Sequence, residues 1–273
     1  MRAKSGGVHA GAPAENRREE RPIAVLPRFH VGDLPLRCGD VCALPEGAAR
    51  HVQVLRMQPG GLIQLFDGQG REWQARVTDM GRKQVSVEIG EAVEVTRELP
   101  VRVILAVGMP SNDRMDDLIE KATELGVYAI QPLMCERAVL RLDGERAAKK
   151  VAHWQAVAIS ACEQCGRAVV PQVREVQTLQ GWLRHLAQDA SLADWRKGVL
   201  SLREAKPLQA WATERTQAGG FVFLSGPEGG LAPAEEQAVL DGGWQALTLG
   251  ARVLRADTAP LAALSVIGSI YER

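Results

Sequence analysis

Apolar positions change their period once along this chain, between Glu94 and Pro100. Before that point they come in short alternating runs separated by turn residues. Leu62 to Phe66 is a run of strand length, apolar but for Gln64, closed by Asp67-Gly68-Gln69-Gly70, residue types that favour turns. Trp73, Ala75 and Val77 then alternate with polar neighbours, as do Val85, Val87 and Ile89 after the turn Gly81-Arg82-Lys83. Each run predicts a strand with one buried face. One helix interrupts, from Glu46 to about Met57, where Ala49, Val52 and Leu55 form a stripe and Pro59-Gly60 stops it. Several antiparallel strands at this spacing predict a small β-barrel over residues 23–96.

After the boundary, Val101 to Val107 is apolar at every position but Arg102, as expected of a strand covered on both faces. Ser111, Asn112 or Asp113 can cap the helix that follows, and Met115, Leu118, Ile119, Ala122 and Leu125 form its apolar face. Gly126 closes it, since glycine alone enters the left-handed region without a Cβ clash. Ala129 to Met134 is the next strand, and a long helix covers about Ala147 to Gln164. Farther on come a strand at Phe221 to Leu224, a helix from Pro233 to Leu240, a strand at Gln245 to Leu249 and a last helix from about Asp257. Strand and helix alternate, so residues 97–273 are predicted to be α/β with a mostly parallel sheet. Residues 1–22, with Gly6, Gly7, Gly11, Pro13 and the charged run Arg17 to Arg21, read as a loose polar tail.

Composition narrows the class. Of 273 residues, 46% are hydrophobic and 24% charged, enough to bury a sizeable core. Lysine plus arginine (33) balances aspartate plus glutamate (33), which excludes a polybasic wrap around nucleic acid but leaves room for a local basic face. No apolar run approaches the roughly 18 residues of a membrane span, and no apolar signal core opens the chain. Five cysteines, an odd count in a long chain, predict reduced thiols in a cytoplasm. Cys162 and Cys165 have C-x-x-C spacing without a second ligand pair, so they read as two small residues on a helix, and no metal site is expected.

The chemistry is most visible in two strand-to-helix loops. In Phe221-Val-Phe-Leu-Ser-Gly-Pro-Glu-Gly-Gly230 an apolar strand runs into three glycines and a proline. Ligands of open α/β sheets bind at such carboxyl ends, where glycines let the backbone approach closely. The Gly-Lys-Ser/Thr ending of a P-loop is missing and the glycine spacing is wrong for a dinucleotide fingerprint. The second loop, Leu247-Thr-Leu-Gly-Ala-Arg-Val-Leu-Arg-Ala-Asp-Thr258, places Gly250 after a strand and presents Arg252 and Arg255 before a helix that Asp257 or Thr258 can cap. Two such loops on neighbouring strands predict one shared pocket.

Three stretches carry a resemblance: Met115-Asp-Asp-Leu-Ile-Glu-Lys-Ala-Thr-Glu-Leu-Gly-Val127, Gly226-Pro-Glu-Gly-Gly-Leu231 and Leu249-Gly-Ala-Arg-Val-Leu-Arg-Ala-Asp-Thr-Ala259. Together with Cys162-Glu-Gln-Cys-Gly-Arg167, Pro27-Arg-Phe29 and His51-Val-Gln-Val-Leu-Arg56, they look like the signatures of the 16S ribosomal RNA uridine-N3 methyltransferases, members of the SPOUT class. The resemblance implies a carboxyl-terminal domain tied in a trefoil knot, which periodicity does not show and general topology rules disfavour. It implies a PUA-like RNA-binding barrel before it, S-adenosylmethionine as methyl donor, a cytoplasmic homodimer, and the 16S ribosomal RNA or small ribosomal subunit as partner. Four positions depart from the family pattern: Ala251 for proline, Asp257 for glutamate, Ala232 for serine and Ser111 for a basic residue. A relative acting on a ribose hydroxyl or another base, or an RNA-binding relative without catalysis, would share much of the pattern.

The donor is expected at Leu224, Gly226, Pro227, Glu228, Gly229, Gly230, Leu249, Gly250, Val253 and Leu254, largely through main-chain groups. Uridine N3 carries a proton at neutral pH, so its methylation needs that proton removed or the anion stabilised. Arg252 or Arg255 is the expected anion stabiliser, and Asp257 or Glu228 the expected proton acceptor. Between Arg137 and Arg174 seven basic residues face three acidic ones. Arg137 and Arg167 from that stretch, with Arg28, Arg56 and Arg114, are the expected RNA contacts.

Overall fold

The computed structural model describes residues 26–111, 113–214 and 219–272. The tail expected over residues 1–22, the barrel's expected first residue Ile23 and the capping candidate Asn112 lie outside the described residues. Two sheets organise the rest.

The first sheet contains β1 (Arg28–His30), β2 (Val41–Ala43), β3 (Leu62–Phe66), β4 (Arg71–Met80) and β5 (Val85–Glu94), in the order β1-β3-β4-β5-β2. Helix α1 (Glu46–Val54) lies between β2 and β3 in the chain. The alternation seen in sequence is realised: Trp73, Ala75, Val77, Val85, Val87 and Ile89 all face a core shared with Phe29, Ile63, Leu65 and the α1 residues Ala48, Ala49 and Val52. Leu55 departs from its expected stripe; α1 ends at Val54, and Leu55 is exposed. The strands pair antiparallel except β1 with β3, which is parallel, and the edge strands β1 and β2 do not pair with each other. Asp67 builds the β3–β4 turn, its Oδ1 accepting from the amides of Gln69 (2.8 Å) and Arg71 (3.1 Å).

The second sheet begins with β6 (Arg102–Gly108), α2 (Asp113–Glu124), β7 (Ala129–Met134) and α3 (Gly144–Cys165). It continues through β8 (Gln172–Val173), β9 (Gln177–Thr178), α4 (Leu179–Gln188), β10 (Arg196–Leu200), β11 (Lys206–Pro207) and α5 (Leu208–Ala212). The last elements are β12 (Gly220–Ser225), α6 (Pro233–Asp241), β13 (Gln245–Thr248) and α7 (Thr258–Tyr271). The main path runs β11-β13-β10-β12-β6-β7-β8, with β9 also on β7, and every pair is parallel.

Both faces of this sheet are covered, which explains its continuous apolar runs. Val103, Leu105 and Val107 point into a core with Met115, Leu118 and Ile119 of α2, Trp154 of α3 and Leu264 of α7. Their neighbours Ile104 and Ala106 point into a second core with Leu179 and Trp182 of α4 and Val239 of α6. Sequence periodicity passed over residues 166–219, where α4 is nevertheless marked by Leu179, Trp182 and Leu186. There β10 is short and carries Arg196 and Lys197, yet it occupies the middle of the sheet.

The two sheets are stitched together by the segment that ends α3. The Gly70 amide donates to Ala168 O (3.1 Å) and the Val170 amide to Gly68 O (3.0 Å). Glu163 Oε1 accepts from the His30 amide at 3.0 Å.

Candidate active site

The carboxyl ends of β10, β12 and β13 open onto a cleft of about 760 Å³, within the range of pockets that hold small molecules. Loop 226–230 forms one wall and residues 249–255 another. Because β10 pairs with both β12 and β13, its own turn, Ser201-Leu202-Arg203, lies between them. That third loop was missed from sequence; its signal was the short apolar pair Val199-Leu200 before polar residues.

Glycines set the shape of the first wall. A Cβ on Gly226 would come within 2.7 Å of the Leu231 amide nitrogen, so the loop can fold back on itself only with glycine there. A Cβ on Gly108, at the end of β6, would lie 2.6 Å from both N and Cδ of Pro227. Gly230 has φ +68° and Gly250 φ +119°, backbone that a side chain would strain. Arg137 braces the wall, Nη1 donating to the carbonyls of Gly229 (3.2 Å) and Leu231 (3.4 Å).

Glu228 is held in place by a residue far away in sequence. Its Oε1 accepts from the amide and the hydroxyl of Ser111, both at 2.9 Å, and Arg114 Nη1 stands 3.7 Å away. Burial alone would raise this carboxyl's pKa. The hydrogen bonds from Ser111 and from its own amide, together with Arg114, outweigh burial and hold it below the ordinary value. Such a carboxylate is a weakened base, and its bonds fasten the loop to the start of α2. Ser111, considered above as a helix cap, turns its hydroxyl to Glu228 instead.

Of the expected donor residues, Gly226, Pro227, Glu228, Gly229, Gly230, Leu249, Val253 and Leu254 line the cleft; Leu224, buried, and Gly250, exposed, are not part of the lining. Arg252 and Arg255 also line it, exposed, with no ion pair to the described residues. Asp257 does not line it. Its Oδ1 accepts from the Thr258 amide at 3.0 Å, capping α7. Ser225 adds an unexpected feature: its hydroxyl is buried in the lining and has no hydrogen-bond partner among the described residues.

The five expected RNA contacts divide. Arg114 and Arg137 line the cleft, and Arg56 is exposed with its backbone at φ +51°. Arg28 and Arg167 are corrections. Arg167 is 4% exposed, pairs bidentately with Glu98, and donates to the carbonyls of Thr123 (2.8 Å) and Val127 (3.0 Å). Arg28 is paired with Glu72 and donates to the Arg167 carbonyl at 3.1 Å. Arg167 is buried with its donors engaged, and the Arg28 side chain is 9% exposed with both terminal nitrogens engaged by Glu72 and the Arg167 carbonyl, so neither guanidinium is presented to a phosphate.

Cys162 is also structural, since burial pushes its thiol up to about 12 and its Sγ contacts the Val169 carbonyl at 3.6 Å. Among the described residues no three His, Cys, Asp or Glu side chains are grouped to hold a metal, and no helix is long and apolar enough to cross a membrane.

Comparison with known proteins places this arrangement. Residues 97–268 match the family described as RNA methyltransferase domain, and residues 44–90 the family described as RNA methyltransferase PUA domain. The ribosomal RNA small subunit methyltransferase E of Bacillus subtilis is 33% identical over 222 residues, covering 79% of this chain and 84% of that protein. The crystal structure of the same-named protein from Neisseria gonorrhoeae bound to S-adenosylmethionine superposes with a TM-score of 0.81 at 38% identity, covering 90% of this chain and 98% of that one. A putative methyltransferase from Legionella pneumophila, also in complex with S-adenosylmethionine, gives a TM-score of 0.82 at 34% identity with the same coverage.

Proposed function

We infer, from a chain that belongs to the ribosomal RNA small subunit methyltransferase E family, that its cleft methylates N3 of a uridine in 16S ribosomal RNA. The chain is an S-adenosylmethionine-dependent ribosomal RNA methyltransferase with an amino-terminal PUA-like domain; the N3 atom and the residue roles are our proposal. The observation that carries it is one cleft in which the 226–230 and 249–255 loops meet beside two exposed arginines, Arg252 and Arg255, that have no ion pair to the described residues. When bound, S-adenosylmethionine supplies an electrophilic methyl group on sulfur for direct displacement by a nucleophile.

The residues present suit that group. Leu247, Leu249 and Leu254 offer apolar surface for an adenine, loop amides offer hydrogen bonds to its edge, and the buried Ser225 hydroxyl has no partner among the described residues. Arg252 and Arg255 hold the uridine as its anion, whose charge spreads over O2 and O4, by charge-assisted hydrogen bonds. Glu228 fixes the wall, and Asp257 caps α7, whose first amides, at Thr258 and Ala259, donate to the Arg255 carbonyl and hold the loop before the helix. With both carboxylates so engaged, stabilising the anion is the chain's larger contribution, ahead of a dedicated base. Arg114, Arg137 and Arg56 meet RNA phosphates.

We assign residues 23–96 to the RNA-binding domain and 97–273 to the catalytic one. A trefoil knot in the latter is supported by the strand order: β13 lies outside β10, yet α7, which follows it, returns to pack on β6 and β12. A homodimer is supported by Val253 (82% exposed) and Leu202 (57% exposed), large apolar side chains at the cleft rim that a second chain would cover. Nucleoside analysis of 16S ribosomal RNA from cells lacking the protein tests the reaction. Loss of 3-methyluridine, restored by this chain, is expected; an unchanged 3-methyluridine content refutes it.

A further inference from the structure

A donor with an amino-acid end presents a carboxylate and an ammonium side by side, and a site that reads it needs a cation and an anion equally close. Two acids line the cleft, Glu228 and Glu236. Glu228 is held by Ser111 and Arg114 on the outer wall. Glu236, on α6, has its Oε1 2.6 Å from the Ser201 hydroxyl, which donates to it. The same hydroxyl oxygen accepts from the amide of Arg203 at 3.1 Å, so a single serine ties the carboxylate of α6 to the backbone that carries an arginine. The next residue, Glu204, has φ +45°, an unusual conformation for a side-chain-bearing residue and one that fixes the course of the turn.

Among the five arginines of the lining, Arg114 faces Glu228 and Arg137 is bonded to loop carbonyls. Arg252 and Arg255 stand on the wall after β13. The guanidinium of Arg203 is exposed in the cleft and has no hydrogen bond or ion pair to the described residues. It stands on the turn that β10 places between the two donor-holding loops. Among the described residues this side chain covers no core and pairs with no acid.

Resting on the donor assignment above, we propose that Arg203 is the residue that binds the carboxylate of the donor's amino-acid end, with Glu236, positioned by Ser201, facing the adjacent ammonium. A guanidinium offers two parallel N–H donors that match a carboxylate, so Arg203 distinguishes ligands that keep the amino-acid end from those that lack it.

Calorimetry on the full-length protein tests this with two probes, S-adenosylhomocysteine, which has the zwitterion, and methylthioadenosine, which lacks it. Arg203→Ala is expected to weaken the first by roughly ten- to a hundredfold, the loss typical of a charged hydrogen-bonding partner, and to leave the second unchanged. Arg203→Lys is expected to recover part of the loss, as a charge without the fork. Equal affinity of Arg203→Ala and wild type for S-adenosylhomocysteine overturns the assignment, as does an equal loss for both probes. Unchanged donor affinity with weakened binding of a 16S ribosomal RNA fragment also overturns it, placing Arg203 on a phosphate. Wild type that binds neither probe refutes the donor site itself, a distinct failure visible before any variant is made.

Discussion

Gly108 offers a direct measure of how closely the catalytic wall is packed on the sheet. Its backbone is ordinary, so Gly108→Ala acts through space alone: the new Cβ would lie 2.6 Å from N and Cδ of Pro227 and 3.0 Å from Cys135 Sγ. Comfortable carbon contacts lie at about 3.5–4.0 Å, so something must move by about 1 Å. Strand β6 is buried on both faces and paired on both sides, while residues 228–230 are partly exposed. The loop therefore yields. Overpacking of this kind costs about 1–3 kcal/mol, and each 1.4 kcal/mol is a factor of ten in binding. Donor affinity should fall by roughly tenfold to a hundredfold if the loop absorbs the strain. Whatever the core absorbs instead appears as a lower Tm, about 2–4 °C per kcal/mol for a chain near this size. Calorimetry with S-adenosylhomocysteine and thermal denaturation measure the two parts. Gly230→Ala is the comparison, because no atom lies within 4 Å of its Cβ and only φ +68° opposes it, at about 1–2 kcal/mol. If Gly108→Ala matches wild type in both affinity and Tm, the close approach of β6 to Pro227 is wrong.

Arg255→Ala should slow single-turnover methylation by about a hundredfold or more, as for loss of one anion-stabilising donor, with S-adenosylhomocysteine affinity retained; parallel loss of both would make the arginine a donor-binding group. Arg167→Ala strips a buried partner from Glu98 and from two main-chain carbonyls, and should lower unfolding stability in urea by about 3 kcal/mol while a contact to RNA phosphate would leave stability alone. The carboxyl of Glu228 has its pKa depressed in the folded protein; its stabilisation is therefore complete above the ordinary carboxylate value of the unfolded chain and disappears as pH falls through the lower folded value. Acid titration of stability should accordingly show a component that is absent from Glu228→Gln, and identical profiles would remove that carboxylate from the loop's support.

Much of the architecture is legible in the order of residues, and the reason is local. Alternation over Trp73-Ala75-Val77 predicts a half-buried strand because side chains of an extended chain take opposite faces, and these three do face one core. The apolar run at Val101 to Val107, interrupted only by Arg102, predicts a strand covered twice, and successive residues from Val103 onward do enter two different cores. Legibility fails where a short element owes its conformation to its neighbours. Strand β10 has few apolar residues of its own, yet it lies between β12 and β13 and brings Ser201 and Arg203 to the cleft. It fails too for charge: a guanidinium at Arg167 and one at Arg255 look alike in sequence, but one is buried against Glu98 and the other is exposed in the cleft.

Residue order alone determined the elements, the two strand-to-helix loops, the glycines those loops require and the family resemblance, because each depends on residues close together along the chain. Tertiary structure decided which groups meet. Ser111 holds Glu228 across 117 positions, Arg137 braces Gly229 across 92, and the turn after β10 enters the cleft only because strand order places it there. Such partnerships leave no periodic trace in sequence, since they are selected by the packing of whole strands rather than by the preferences of neighbouring residues.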